Sequence, residues 1–193
     1  MKNIILVYLG VFLFCVKSEG QQFKGSIVSG LTLAQIDGDL LSGFNQPGLR
    51  AGLHLDSRIN DRWSLAMEMA FSQAGSRRQL TDSPAAILHK IRLNQVEVPL
   101  VVQFTEWKFK VGTGIIYQRL FNYALKDISG TDVTNFYSFR NNHVSFIAAC
   151  TVQLNDRWGI LLSWSKSMNA LQTDNPAIKF RSRVIGIQSI IYL

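Results

Sequence analysis

From Trp63 the chain alternates with a period of two. Trp63, Leu65, Met67, Met69 and Phe71 are large and apolar, while Ser64, Ala66, Glu68, Ala70 and Ser72 are small or charged. An extended strand sends successive side chains to opposite faces, so this pattern predicts a strand with one apolar face and one small, polar face. The same split recurs over 49–58, 96–104, 107–118, 143–154 and 158–165, with a first strand expected near 23–34 and a last near 180–193. No long segment after residue 20 carries the period of an amphipathic helix. The expected fold is therefore all-β, with eight strands.

The expected connections alternate in length. "NDRW" occurs at 60–63 and again at 155–158, and "FTEW" occupies 104–107. Each reads as a tight turn, with Asn and Asp supplying the turn conformation and Trp opening the returning strand. The other connections are longer, near 35–47, 74–89, 123–140 and 166–178. Tight turns at one end and long loops at the other describe an antiparallel up-and-down barrel.

Such a barrel exists in a soluble form, apolar inside, and a transmembrane form, apolar outside. Three features select the transmembrane form. The minor face is rich in Gly, Ala, Ser and Thr, which suits a narrow lumen better than a solvated exterior. Trp63, Trp107 and Trp158 gather at the tight-turn end as an interfacial aromatic belt would. The chain also ends on an alternating strand, with Ile185, Ile187, Ile191 and Leu193 on one face.

The first twenty residues read differently. Lys2 precedes thirteen largely apolar residues, Ile4 to Val16, and then the small-residue site "SEG". A helix of that length reaches only about 20 Å, too short to span a bilayer. Residues 1–20 are expected to be a cleaved signal peptide and residues 21–193 one barrel domain. Only Cys150 then remains, so no internal disulfide is expected, and it reads as a small residue facing lipid. The formal charge is +7, but the cations are scattered and the chain reads as exported, which argues against nucleic acid as a partner.

The stretch "GLTLAQIDGDLLSGFNQPGLRAGL" at 30–53 resembles the first hairpin of the PorT-like outer-membrane β-barrel family of Bacteroidota. Gln35-Ile36-Asp37-Gly38-Asp39 and Gly43-Phe44 carry the likeness, with Ala34 and Gln46 in place of the family's commoner Ser and Lys. "NQVEVPLVVQF" is similar to a second family strand, through Glu97, Pro99 and Leu100. The resemblance implies an outer-membrane barrel with both termini in the periplasm, and an accessory or structural role in an outer-membrane assembly, one linked to type IX protein secretion.

The alternation places Arg50, His54, Asp56, Arg58, Glu68, Glu97, Lys108 and Lys110 on the minor face. Buried charges are costly unless paired, so these eight are expected to form a mutually satisfied network in the lumen. His143 and Ser145 share that face, and an H-x-S pair occurs in outer-membrane lipid A deacylases as base and nucleophile. That chemistry also needs a carboxylate to orient the histidine, and no Glu follows Glu106. Stabilising packing is the expected role for both, and no enzyme is expected. No metal-ligand spacing occurs, and "DGD" at 37–39 reads as turn chemistry rather than a Ca²⁺ loop. No cofactor is expected. The second long loop carries Arg77, Arg78, Lys90 and Arg92, where lipopolysaccharide phosphates are the expected ligands of a free-standing barrel. Outer-membrane lipid and a protein partner in an assembly complete the expected partners.

Overall fold

A computed structural model describes residues 23–172 and 180–193. Among these residues the chain forms eight strands: β1 Phe23–Asp37, β2 Gln46–Arg58, β3 Trp63–Arg77, β4 Leu88–Glu106, β5 Phe109–Asp127, β6 Asn142–Gln153, β7 Trp158–Ser167 and β8 Arg181–Tyr192. Each pairs antiparallel with the next, and β8 pairs with β1, so the sheet closes into a barrel. The expected signal peptide, residues 1–20, lies outside the described residues.

Over the middle of the barrel the apolar face points outward. Leu31, Leu53, Met69, Val111, Ile115 and Ile187 are all more than half exposed, while Ser72, Gln95, Gln118 and Gln188 on the opposite face are buried. Large apolar side chains bared around a closed wall suit a hydrocarbon solvent, and this is a transmembrane barrel. The lumen is narrow. A methyl group on Gly114 would stand 1.9 Å from the Leu100 carbonyl oxygen, so the wall itself requires glycine there.

The two "NDRW" turns are one device built twice. Asn60 Oδ1 accepts the amides of Arg62 and Trp63 at 3.0 and 2.9 Å, and Asn155 Oδ1 accepts those of Arg157 and Trp158 at 2.9 and 2.8 Å. The Trp63 carbonyl takes the amides of Ile59 and Asn60, as the Trp158 carbonyl takes those of Leu154 and Asn155. Even the stitch to the next strand repeats: the Arg62 carbonyl accepts from Thr105, and the Arg157 carbonyl from Tyr192.

"FTEW" departs from the expectation. The turn is Trp107-Lys108 itself, between paired Glu106 and Phe109, and Trp107 takes a positive φ of 55°. Primed hairpin turns call for that conformation at their first central position. Trp107 therefore belongs to the turn rather than the returning strand, although it still stands 80% exposed at the tight-turn end with Trp63 and Trp158.

The strands also run further than expected at the long-loop end, leaving loops of 38–45, 78–87 and 128–141 and a fourth described over 168–172. In this upper part the polarity inverts. Ile36, Ala74, Ile91, Leu93, Leu125, Phe180 and Val184 face inward and form an apolar core, which Phe139 and Leu171 of the third and fourth loops close from above. Outside, Gln73 and Asn94 bond to each other at 3.0 Å, and Arg77, Lys90, Arg92 and Lys126 follow them upward. The barrel is lipid-type below and water-type above.

Candidate functional site

The predicted lumen network divides into two clusters. The upper one is centred on Arg50, which reaches Glu68 Oε1 and Glu97 Oε2 at 3.1 Å each and is only 4% exposed. His54 Nδ1 lies 3.6 Å from the other Glu68 oxygen. Glu97 Oε1 accepts hydrogen bonds from the side-chain amides of Gln95 and Gln118, both at 2.8 Å. Ser145 Oγ in turn donates to Gln118 Oε1. Strand register makes this possible: His54 faces Glu68 across β2–β3, and Glu97 faces Gln118 across β4–β5. Sequence reading by charge alone missed Gln95 and Gln118 as network members, although Gln118 lay on the right face.

The lower cluster is the pair Lys110–Asp56, close to the tight-turn mouth. Two expected members stand apart. Arg58 is exposed and binds Asp61 of its own turn at 2.8 Å. Lys108 lies in the β4–β5 turn, exposed, with its ammonium 5.4 Å from the centre of the Trp107 ring. Carrying the alternation through a turn misplaced Lys108, because the turn resets which face a residue takes.

The clusters and the packed side chains around them close the bore. The cavities beside the Arg50 cluster hold about 20 and 10 Å³, enough for isolated waters and too little for a continuous water column. Above them sits the apolar core with its loop cap. A wider polar space of about 250 Å³ opens at the tight-turn mouth, among Lys24, Arg58, Arg62, Lys110 and Asp56.

His143 and Ser145 are both buried and inward, as expected from their spacing. They are not hydrogen-bonded to each other. Ser145 bonds to Gln118, and neither imidazole nitrogen of His143 has a hydrogen-bond partner. Cys150 is a partly exposed free thiol between Val111 and Leu162 on the outer face. No group of three or more His, Cys, Asp or Glu suited to a metal ion occurs among the described residues.

The "QIDGD" stretch ends β1 and opens the first loop. Asp37 turns to Arg183 at 2.6 Å, whereas Asp39 accepts the Leu41 amide and the Ser76 hydroxyl, binding the first loop to β3. Its two carboxylates therefore diverge instead of converging on a cation. Burial pushes the Asp39 carboxyl up to about 6, against the lowering effect of those bonds. Asp82 of the second loop completes the clasp by accepting the Ser42 amide and hydroxyl, at 2.9 and 2.7 Å.

Of the four expected loop cations, only Arg78 is in a loop, donating to the carbonyls of Ala86 and Ser83. Arg77 ends β3, and Lys90 and Arg92 lie on the outer face of β4.

Comparison with solved structures places this architecture among bacterial outer-membrane barrels. It is similar to Ail, the attachment invasion locus protein of Yersinia pestis, with a TM-score of 0.54 at 12% identity, over 89% of this chain and 99% of that one. A second Ail structure, in complex with the heparin analogue sucrose octasulfate, gives a TM-score of 0.52 at the same identity and coverage. Neisserial surface protein A is similar with a TM-score of 0.50 at 13% identity, covering 90% of this chain and 99% of that chain. At these identities the likeness is one of fold. No protein-family model and no curated protein matches the sequence, so the PorT-like resemblance rests on the quoted residues alone.

Proposed function

We propose that this chain is a non-enzymatic barrel of the bacterial outer membrane, with tight turns and both termini in the periplasm, that acts at its outer rim and not through its lumen. The observation that carries this is the filled bore: among the described residues a paired charge cluster at mid-height and an apolar core above it occupy the lumen. What is left to work with is the long-loop end and the outward face beneath it. Charge supports the orientation. Around the upper wall, Arg77, Lys90, Arg92, Arg119, Lys126 and Lys166 face outward, while the tight-turn end mixes Arg62, Lys108 and Arg157 with Asp61, Glu106 and Asp156. A cationic upper belt suits the outer leaflet, whose glycolipids carry phosphates. Ail in complex with a polysulfated ligand lends precedent for anion recognition on this fold.

The experiment is twofold. An epitope inserted beside Gly130 in the third loop should label on intact cells, and the purified barrel should give no ion steps in planar bilayers. Regular conductance steps, or an epitope reached only after the cell is opened, would overturn the reading.

A second reading, an accessory subunit of an outer-membrane assembly, draws on the exposed apolar side chains of the loops. Leu80, Ile87 and Phe136 are each more than two-thirds exposed. The link to type IX secretion has the PorT-like motifs as its support. Stoichiometric recovery of one partner after gentle extraction would favour it over the free-standing barrel.

A further inference from the structure

Three cations stand side by side on the outer wall above the lipid-facing band. Lys90 is directly opposite Arg77 across β3–β4 and directly opposite Lys126 across β4–β5. Neighbouring strands lie about 4.8 Å apart, so the row is roughly 10 Å wide at the backbone. Arg92 is two residues below Lys90 on the same face, about 7 Å along the strand. Like charges directly opposite one another destabilise a sheet, and here two such pairs share a residue. Lys90 stands in the field of all three others.

Among the described residues no carboxylate forms an ion pair with Arg77, Lys90, Arg92 or Lys126. Asp132, bridged to Lys126 through the backbone, accepts the Thr134 amide and offsets part of the Lys126 charge without pairing with it directly. Asp127 accepts the Thr131 amide. The opposite wall is different: Lys166 faces Arg183 there, and Arg183 has Asp37. A row of four cations with no ion pair on one side, against one tied to Asp37 on the other, makes the first a site for an external anion.

Its height identifies the anion. Down the outer face of β4 the order is Lys90, Arg92, Asn94, Val96, Val98, Leu100, Val102, Phe104. At about 3.3 Å per residue and the usual barrel tilt, Arg92 sits roughly 10 Å above Val96, in the headgroup layer. Phe71 and Phe121, with ring centres 6.0 Å apart, mark the acyl side of the boundary. We infer that Arg77, Lys90, Arg92 and Lys126 form a phosphate-binding site for the headgroup of an outer-leaflet glycolipid, whose acyl chains lie along β3–β5. The inference rests on the outward orientation of the long loops proposed above. The guanidinium groups supply paired donors to phosphate oxygens, and the ammonium groups supply charge.

The test compares the protein purified from membranes with its Lys90→Gln/Arg92→Gln variant, using native mass spectrometry in micelles. The probes are bisphosphorylated lipid A, dephosphorylated lipid A and inorganic pyrophosphate. A heat-modifiable band on gels shows that the variant is folded, and Lys166→Gln serves as the control. The variant should bind bisphosphorylated lipid A roughly thirtyfold more weakly, from about a fivefold attraction per surface cation. Dephosphorylated lipid A should bind the native protein no better than that. Equal binding by the folded variant, or by dephosphorylated lipid A, would overturn the site. Displacement of lipid A by micromolar pyrophosphate would move the site to a soluble phosphate and overturn the lipid assignment. Surface labelling beside Gly130 separates the two readings: failure to label refutes the orientation, whereas normal labelling with unchanged binding refutes the site alone.

Discussion

Replacing Glu97 by alanine removes the acceptor on which three donors converge. Arg50 Nε contacts one carboxylate oxygen at 3.1 Å, and the Gln95 and Gln118 amides contact the other at 2.8 Å. All three donors are buried, so solvent cannot take the place of the lost oxygens. A hydrogen bond to a charged group contributes about 1.5–3 kcal/mol, and each buried donor left unpaired costs about 1–3 kcal/mol. Against this, Arg50 keeps Glu68, and the cluster loses a carboxylate that repels Glu68 through their shared guanidinium. The net expectation is a loss of about 3 kcal/mol, with Glu97→Gln losing about half as much because its carbonyl still accepts. Urea unfolding of the barrel in detergent micelles, followed by tryptophan fluorescence and by heat-modifiable gel mobility, measures both. Combining Arg50→Met with Glu97→Met should cost less than the sum of the single changes, since removing a buried pair together strands neither member. A Glu97→Ala loss below about 1 kcal/mol, or strict additivity in that cycle, would refute the network as a source of stability.

Asn60→Ala and Asn155→Ala should each cost about 1 kcal/mol, and the two should agree within about 0.5 kcal/mol because the two Asn side chains accept the same pair of amides; unequal losses in the same unfolding assay would deny that the device is repeated. The clasp of the first loop should loosen as pH rises. Folding raises the Asp39 carboxyl from 3.8 to about 6, so the folded loop holds a proton that the unfolded loop has released. Its contribution is full below about pH 4 and is lost as pH climbs through 6. Proteolysis within residues 38–45 should therefore be faster at pH 7.5 than at pH 5, after correction for the protease, and Asp39→Asn should abolish the difference. Glycine in place of Trp107 should relieve the positive φ by about 1 kcal/mol in the hairpin while removing one interfacial anchor; separate measurements in micelles and in lipid vesicles divide the two effects.

The lower barrel was legible because membrane and lumen impose opposite demands on neighbouring residues. Trp63 to Phe71 and Val96 to Phe104 show it plainly, and Arg50, His54, Glu68 and Glu97 followed from the same alternation. The upper barrel was not legible by that rule. Residues 88–95 alternate as cleanly, but Ile91 and Leu93 point inward and Lys90 and Arg92 outward, opposite in sense to Val96 onward. A rule that equates apolar with outward reads such a stretch as loop. An irregularity in the β4–β5 register between Asn94 and Gln95, where Leu120 and Asn122 are the partners, further disturbs the count on β5. Lys108 failed for a related reason, since a two-residue turn breaks the alternation that runs on either side of it. Gln95 and Gln118 carry no charge signal, and their bonds to Glu97 come from the β4–β5 register for Gln118 and from a same-face, same-strand approach for Gln95.

The inversion of polarity along β4 acts as a depth gauge. Sinking the barrel by one dipeptide would draw Arg92 toward hydrocarbon, and raising it by one would lift Val96 into the headgroups. Either displacement is opposed along β4, so the barrel should hold one level even where the surrounding bilayer is thicker or thinner than its apolar band. The lipid must then adjust its thickness to the wall, and a small barrel with a closed bore can influence its surroundings simply by setting the local height of the membrane.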